Sequence, residues 1–214
     1  MPADEAQPNR VHRLLFGAIS RTGPKVQARL LRHYFDLWHI RADPWGVSAD
    51  PYERHKYTTT LEQVPEGSYR RILDVGCSEG TFTLLASAAF PQAETVGGDI
   101  STRALRRARA EAARTGSTAR FIRFDLLADD PGGRFDLVFC GEVLYYLGQT
   151  ETVADRLARA MEPGGHLVLT HSRPQARLLH TYFDAHPGLA SVSEVDGEHD
   201  GRFYSVSVYT RTAA

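Results

Sequence analysis

The stretch ILDVGCSEG, residues 72–80, decides the fold of this chain. An apolar run with one aspartate favours a short buried strand, and the glycines at 76 and 80 bracket a tight turn. The helical pattern TFTLLASAAF follows at residues 81–90 and ends before Pro91. Strand, turn and helix in this order indicate the first βα unit of a parallel sheet.

The same unit recurs towards the C-terminus. Residues 95–99, TVGGD, predict a second strand, and Ser101 is a candidate N-cap for a helix that runs to about residue 115. A helix is also predicted over residues 149–161, and three more strands are expected over residues 120–126, 135–140 and 166–170. Strands that alternate with helices predict an α/β fold, with a parallel sheet covered on both faces.

The C-terminal part has a different pattern. A helix is predicted over residues 175–185, and two alternating segments, 190–195 and 203–209, predict strands. Between them lie two turn signals, Asp196-Gly197 and His199-Asp200-Gly201. The pattern predicts a closing antiparallel hairpin.

Helical patterns precede the first strand. Residues 1–9 are polar and contain two prolines, so we expect a frayed terminus. Two helical patterns cover residues 11–40, and Asp50-Pro51 opens a third that runs to Leu61. We therefore predict a helical N-terminal cap over residues 1–68 and an α/β domain over residues 69–214.

Composition narrows the class of protein. The chain has 214 residues, of which 42% are hydrophobic and 24% charged, and a formal net charge of −1, so we expect neither nucleic acid nor membrane as a partner. Cys77 and Cys140 cannot form a disulfide framework and lack the spacing of a zinc site. No secretion signal opens MPADEAQPNR, so we expect a cytoplasmic protein without a structural metal.

Three aspartates mark the predicted strand ends, where an open parallel sheet binds its ligands. Asp74 precedes the glycine turn at Gly76, whose spacing to Gly80 differs from the phosphate-binding pattern of dinucleotide folds. Asp99 is placed to accept both hydroxyls of a ribose. Asp125-Leu126 offers an acceptor for an exocyclic amine and an apolar side chain for a purine face. Together these residues outline an adenosine slot.

Five segments in this order resemble the motifs of class I S-adenosylmethionine-dependent methyltransferases: LDVGCSEGTF, GGDIS, FDLL, FDLVFCGEVLYYL and MEPGGHLVL. The resemblance implies a Rossmann-like, seven-stranded sheet, mostly parallel with an antiparallel C-terminal hairpin. It also implies that S-adenosylmethionine binds at Asp74, Gly76, Cys77, Gly80, Asp99, Ile100, Asp125 and Leu126. Cys77 stands where the family usually has a glycine.

The segment before the first strand, DPWGVSADPYERHKYTTTL, is similar to the corresponding part of the rhizobial nodulation N-methyltransferases. This subgroup resemblance implies that Trp45 and Lys56 close over the cofactor. A cation suits the carboxylate at the methionine end of the cofactor, and an aromatic ring excludes water. Both assignments also have plain structural alternatives, namely a surface lysine and a core tryptophan.

Candidate catalytic residues follow the fourth and fifth predicted strands. Glu142 and His171 are the candidates for a base, because an amine must be neutral and a hydroxyl must lose its proton when it attacks a methyl group. Glu142 is also a candidate contact for the ammonium of the cofactor. Tyr145 and Tyr146 are expected to line an acceptor pocket, with at least one of them in the core.

We therefore expect methyl transfer to a nitrogen or oxygen of a small molecule, such as an amino sugar or a natural-product intermediate, by a monomer or homodimer. Two alternatives stay open: a nicotinamide-dependent oxidoreductase and a non-catalytic nucleotide-binding module. Tyr52 and Lys56 have the spacing of a short-chain dehydrogenase pair, but they precede the first strand and are rejected for that role. The arginine-rich helix over residues 102–115 is interpreted as a solvated face.

Overall fold

The computed structural model describes residues 10–212, and the terminus predicted to fray, residues 1–9, lies outside them. The strands, in chain order, are β1 (Arg71–Val75), β2 (Glu94–Asp99), β3 (Arg120–Arg123), β4 (Phe135–Gly141), β5 (Met161–Ser172), β6 (Leu189–His199) and β7 (Arg202–Arg211). The helices, in the same order, are α1 (Arg10–Ile19), α2 (Pro24–Trp38), α3 (Pro51–Glu62), α4 (Thr81–Ala89), α5 (Thr102–Thr115), α6 (Leu144–Leu147), α7 (Thr150–Ala160), α8 (Arg173–Leu179) and α9 (Thr181–Asp184).

The strands form a seven-stranded sheet in the order β3-β2-β1-β4-β5-β7-β6. Neighbours from β3 to β5 pair in parallel, whereas β7 pairs antiparallel with both β5 and β6. This confirms the predicted Rossmann-like sheet with its antiparallel hairpin. The strand order reverses between β1 and β4, which is where ligands bind in such sheets.

Local sequence signals explain where two of the helices begin. The Asp50 carboxylate accepts the amide of Tyr52 at 3.0 Å and Pro51 occupies the first turn of α3. The Ser101 hydroxyl accepts the amide of Ala104 at 3.2 Å at the start of α5. Both caps were predicted from the sequence, because short polar side chains satisfy the free amides of a first helical turn.

Three predicted boundaries were wrong. β3 ends at Arg123 rather than at residue 126, because the Asp125 carboxylate folds back onto the amide of Leu127 at 2.9 Å and turns the chain. β5 begins at Met161 and continues to Ser172, with residues 162–165 bulging out of its pairing with β4. β6 runs through Asp196-Gly197, so that the hairpin turn lies at residues 200–201.

The N-terminal helices pack on the sheet domain through polar as well as apolar contacts. The buried Gln27 amide of α2 donates to the carbonyl of Leu147 at 2.7 Å. Asp36 accepts the hydroxyl of Ser101 at 2.8 Å, so α2 is fixed to the start of α5. None of the helices in residues 10–212 is long and apolar enough to span a bilayer. The boundary at residue 68 stays a prediction.

Candidate active site

A cavity of about 1310 Å³ opens at the carboxyl ends of β1, β2, β4 and β5 and is covered by the helices and loops of the N-terminal part. It exceeds the roughly 300–1,000 Å³ typical of a site for one small molecule. Ten predicted site residues line it: Trp45, Lys56, Asp74, Gly76, Cys77, Asp99, Ile100, Asp125, Leu126 and Glu142. Two, Gly80 and His171, do not.

The glycine turn after β1 shapes the floor of this cavity. Gly76 has φ +77° and its amide donates to the carbonyl of Gly98 at 2.8 Å. A Cβ at this position would lie 2.1 Å from Val143 Cγ2, so only glycine fits. Gly80 was predicted to contact the cofactor, but a Cβ there would meet the Phe121 ring at 2.8 Å, which assigns it to packing between α4 and the sheet.

Asp99 is held in place by the two loops that flank it. Its Oδ2 accepts the amide of Ser78 at 2.9 Å, and its Oδ1 accepts the amide of Ser101 at 2.7 Å. Burial raises the pKa of the Asp99 carboxyl, and these amide donors oppose that shift. Each carboxylate oxygen can accept a second hydrogen bond, so the carboxylate remains able to bind a diol.

Asp125 carries an unsatisfied acceptor. Its Oδ1 accepts the amide of Leu127, whereas its Oδ2 is buried and has no hydrogen-bond partner. Burial raises the pKa of the Asp125 carboxyl. Asp125 lines the cavity together with the apolar side chains of Ile100 and Leu126. These residues fit an adenine ring with its exocyclic amine.

Asp74 and the two cysteines lie deeper in the wall. The Asp74 carboxylate accepts the hydroxyl of Thr83 at 2.5 Å, and burial raises the pKa of Asp74 to about 7. Cys77 and Cys140 are buried free thiols whose pKa values burial raises. Thiols that stay protonated are poor nucleophiles, so these cysteines shape the wall rather than react.

The loop between α2 and α3 is tied to the glycine turn by polar contacts that the sequence did not reveal. Buried His39 bonds the Ser78 hydroxyl through Nε2 at 3.0 Å. Glu79 accepts the amide of Asp43 at 3.1 Å and the guanidinium of Arg107 at 2.9 Å. Arg107 also donates to the carbonyls of residues 39–41. The prediction that the arginines of α5 form a solvated face was therefore wrong for Arg107, which holds the loop between α2 and α3 in place over the cavity.

An aromatic cluster forms the mouth of the cavity. Trp45 is 40% exposed, and its ring stacks on Trp38 with centroids 6.2 Å apart and an interplanar angle of 16°. The His39 ring meets Trp45 edge-on at 5.1 Å, and Phe35 lies tilted against it at 6.4 Å. Trp45 thus presents part of its ring to the cavity and part to solvent, as a residue that closes over a ligand would.

Lys56 lies in a buried ion cluster. It is 2% exposed, and its Nζ lies 3.0 Å from Glu53 Oε1 and 3.0 Å from Glu142 Oε1. Burial alone would lower the pKa of Lys56, but the two carboxylates outweigh burial and raise it well above its ordinary value. Lys56 lines the cavity as predicted, but its charge is already neutralised by two carboxylates.

Tyr145 and Tyr146 lie side by side on the wall. Both line the cavity, and their ring centroids are 4.4 Å apart. Tyr146 also packs edge-on against Phe16 at 5.1 Å and Phe35 at 5.0 Å. The prediction that both line the pocket is met, and Tyr146 additionally joins the core.

The assignment of His171 as a base was wrong. β5 continues through this residue, so alternation places Thr170 and Ser172 at the cavity and His171 on the opposite face. His171 is fully buried, its Nδ1 bonds His180 Nε2 at 3.1 Å, and its Nε2 has no partner. Burial lowers the pKa of His171 to about 3. A neutral, enclosed imidazole on that face cannot take a proton from a bound acceptor.

Comparison with known proteins shows what this chain is similar to. A family model described as a methyltransferase domain matches residues 73–167. The chain is 29% identical over 135 residues to nodulation protein S of Rhizobium tropici, covering 61% of this chain and 56% of that protein. It is 32% identical over 123 residues to trans-aconitate 2-methyltransferase of Azoarcus sp. (strain BH72), covering 56% and 47%. The chain thus spans about half the length of these curated relatives.

The fold comparison agrees. The structure of N-methyltransferase NodS from Bradyrhizobium japonicum WM9 in complex with S-adenosyl-l-homocysteine superposes with a TM-score of 0.71 at 24% identity, covering 84% of this chain and 97% of that one. The matched family segment contains the glycine turn, Asp99, Asp125 and Glu142. Over residues 73–167 the chain is therefore similar to methyltransferase domains, its sequence is similar to nodulation protein S, and its fold is that of the NodS N-methyltransferase structure.

Proposed function

We propose that the protein transfers a methyl group from S-adenosylmethionine to a nitrogen of a small molecule, an amino sugar or a natural-product amine. The main support for the cofactor is the Asp99 carboxylate, which two backbone amides fix at the cavity and whose oxygens can each accept a further hydrogen bond from a diol. Asp99 would hold the ribose, Ile100 and Leu126 the adenine faces, and Trp45 would cover the methionine end. When bound, the cofactor supplies a methyl group activated by a sulfonium.

Glu142 supports nitrogen rather than oxygen as the methyl acceptor. Its side chain is 29% exposed at the cavity, and among residues 10–212 no group donates a hydrogen bond to its Oε2. A carboxylate attracts an ammonium ion and can take its proton, which frees the nitrogen lone pair to bond to the methyl carbon. A hydroxyl, whose pKa is far higher, gains less from so weak a base.

The cavity leaves room for such an acceptor beside the cofactor. The part of the wall beyond Glu142 is lined by Tyr145, Ser172 and Phe203. Their aromatic faces and hydroxyl groups suit a ring that carries an amine and polar substituents. Orientation of two bound reactants can supply much of the rate acceleration of a displacement reaction, so no covalent residue is required.

A transfer screen tests this proposal. Protein is incubated with methyl-labelled S-adenosylmethionine and matched pairs of acceptors that differ only in an amine or a hydroxyl, and products are read by mass spectrometry. We expect methylated amines and S-adenosylhomocysteine in equal amounts. Methylation of the hydroxyl partners instead would reject the nitrogen assignment. Binding of S-adenosylhomocysteine without any transfer would favour a non-catalytic nucleotide-binding module.

Glu142→Gln gives the sharpest test of the base. The amide keeps the shape of the side chain but cannot accept the proton, so kcat is expected to fall by about 100-fold or more. Affinity for S-adenosylhomocysteine, measured by calorimetry, is expected to change little. A variant with normal kcat would remove Glu142 from the chemistry.

A further inference from the structure

Lys56 was expected to face the carboxylate of the cofactor, but its ammonium group is paired with carboxylates of the protein instead. The Nζ atom lies 3.0 Å from oxygens of both Glu53 and Glu142, and 5.0 Å from the centre of the Tyr52 ring. The three ionised groups together carry one negative charge. A third carboxylate placed beside Lys56 would be repelled rather than bound.

Glu142 is fixed through one oxygen only. Its Oε1 accepts both the Lys56 ammonium at 3.0 Å and the backbone amide of Ser172 at 2.9 Å. The backbone at Glu142 has φ +52°, a conformation that a residue with a side chain seldom adopts without a compensating contact. Because Oε1 is held at the cavity wall, Oε2 is the oxygen left for a ligand.

Glu53 fixes the lysine in turn. Glu53 lies one helical turn before Lys56 on α3, is 9% exposed, and lies 3.8 Å from Arg202 of β7. Arg202 also pairs with Asp50 at 2.6 Å and stacks on the Tyr52 ring at 3.7 Å. The cluster therefore links α3, the loop after β4 and the start of β7, and it leaves Lys56 little freedom to turn towards another partner.

We infer that Lys56 is a positioning residue that holds Glu142 Oε1 so that Oε2 faces the methyl acceptor, and that Glu53 orients Lys56. The inference rests on the proposed function, in which Glu142 receives the proton of an amine. It differs from the role implied by the family resemblance, in which the lysine binds the cofactor.

A double-mutant cycle with Lys56→Met and Glu142→Gln tests this inference. If Lys56 acts through Glu142, Lys56→Met alone lowers kcat by about 10- to 100-fold, the loss typical when a partner that orients a functional side chain is removed. The same change in a Glu142→Gln background has no further effect on kcat, because the group it positions is already inactive. Affinity for S-adenosylhomocysteine is expected to stay the same in all four proteins.

Two outcomes would overturn the inference. A rise of about tenfold or more in the Kd for S-adenosylhomocysteine on Lys56→Met, in both backgrounds, would show a direct bond to the cofactor. Losses of kcat that multiply in the double variant would show that Lys56 acts independently of Glu142. If the wild type transfers no methyl group at all, the proposed function fails instead.

Further variants guard against a folding artefact. Lys25, the other lysine of the chain, lies exposed at the start of α2, so Lys25→Met is the matched control and should change nothing. Lys56→Arg keeps the charge and should restore part of kcat. If Lys56→Met does not fold, Glu53→Gln replaces it in the cycle, with a smaller loss of kcat expected and the same lack of effect beside Glu142→Gln. An additive loss there would equally reject the inference.

Discussion

At the ends of β2 and β3 the carboxylates of the cavity are held by backbone amides of adjoining loops, whereas at the ends of β4 and β5 Glu142 is held by a lysine from a distant helix. Asp99 accepts the amides of Ser78 and Ser101, and Asp125 accepts that of Leu127. Glu142 is bound to Lys56, 86 positions away in the chain. Under the proposed function the first group forms a cofactor half, built by neighbouring loops, and the second forms an acceptor half, built by a long-range ion pair.

Because of this difference, substitutions in the two halves should change different measured quantities, cofactor affinity in one and turnover in the other. Residues of the first half should alter cofactor affinity, because their contacts form with the cofactor whether or not an acceptor is present. Residues of the second half should alter turnover, because their contacts act on the reacting nitrogen. Three substitutions test this division.

The largest effect is expected at Asp99. Asp99→Ala removes two charge-assisted contacts to a ribose, each typically worth about 1.5–3 kcal/mol, so the Kd for S-adenosylhomocysteine should rise by about 10- to 150-fold even if only one is lost. The value of kcat at saturating cofactor should change far less. Asp130→Ala, an exposed turn residue, is the control for calorimetry. An unchanged Kd in Asp99→Ala would contradict the role of Asp99 in cofactor binding, and with it the division between residues that alter affinity and residues that alter turnover.

A second effect concerns the face of β5 behind the acceptor half. Burial lowers the pKa of both His171 and His180 to about 3, against about 6.5 in an unfolded chain. The unfolded state therefore binds more protons, and stability falls as the pH drops below 6.5, by about 2 kcal/mol per histidine at pH 5. The pKa of Asp74 is raised to about 7 in the folded state, so its protonation adds to the stability of the protein as the pH falls over part of this range.

The comparison of wild type with His171→Asn cancels the contribution of Asp74. The variant should lose about 2 kcal/mol less than the wild type between pH 7 and pH 5, as measured by urea unfolding. Its cavity contacts are unaffected because His171 lies on the other face, so its kcat at pH 7 should match that of the wild type once the protein is folded. A large fall in kcat would show that His171 takes part in catalysis.

The smallest effect is expected at Asp125. Its carboxylate, which lines the cavity, should discriminate between an adenine amine and the carbonyl of the deaminated analogue S-inosylhomocysteine. The wild type should bind the analogue about tenfold more weakly than S-adenosylhomocysteine. In Asp125→Asn the amide nitrogen can turn towards the carbonyl, so the difference between the affinities for the two ligands should become smaller. Equal affinities in the wild type would show that Asp125 does not contact the base.

The sequence predicted most residues that line the cavity at the ends of β1 to β3, because their signals are local. The glycine turn, Asp99 and Asp125 follow strands directly, and a strand end places such residues at one edge of the sheet. Gly80 does not line the cavity, and a glycine required by packing against Phe121 looks the same in a sequence as one required by a ligand. The fold followed from the alternation of strands and helices for the same reason.

The acceptor half was harder to predict because its contacts join distant segments. Glu53 gave a signal that was missed, since it lies three positions before Lys56 on one helical face. No sequence signal indicated the role of Arg107, because it binds backbone carbonyls of a distant segment that follows α2. The prediction for His171 failed because β5 runs two residues further than predicted, so that His171 lies within the strand and its side chain lies on the face opposite the cavity.

The stacked pair at the cavity mouth has a practical consequence. Trp38 and Trp45 are the two tryptophans of the chain, and both lie in this stack. Intrinsic fluorescence of the unlabelled protein therefore reports on this one place. A ligand that draws the ring of Trp45 inwards would separate the pair and change its emission, which makes closing and opening visible in stopped-flow traces without any engineered probe.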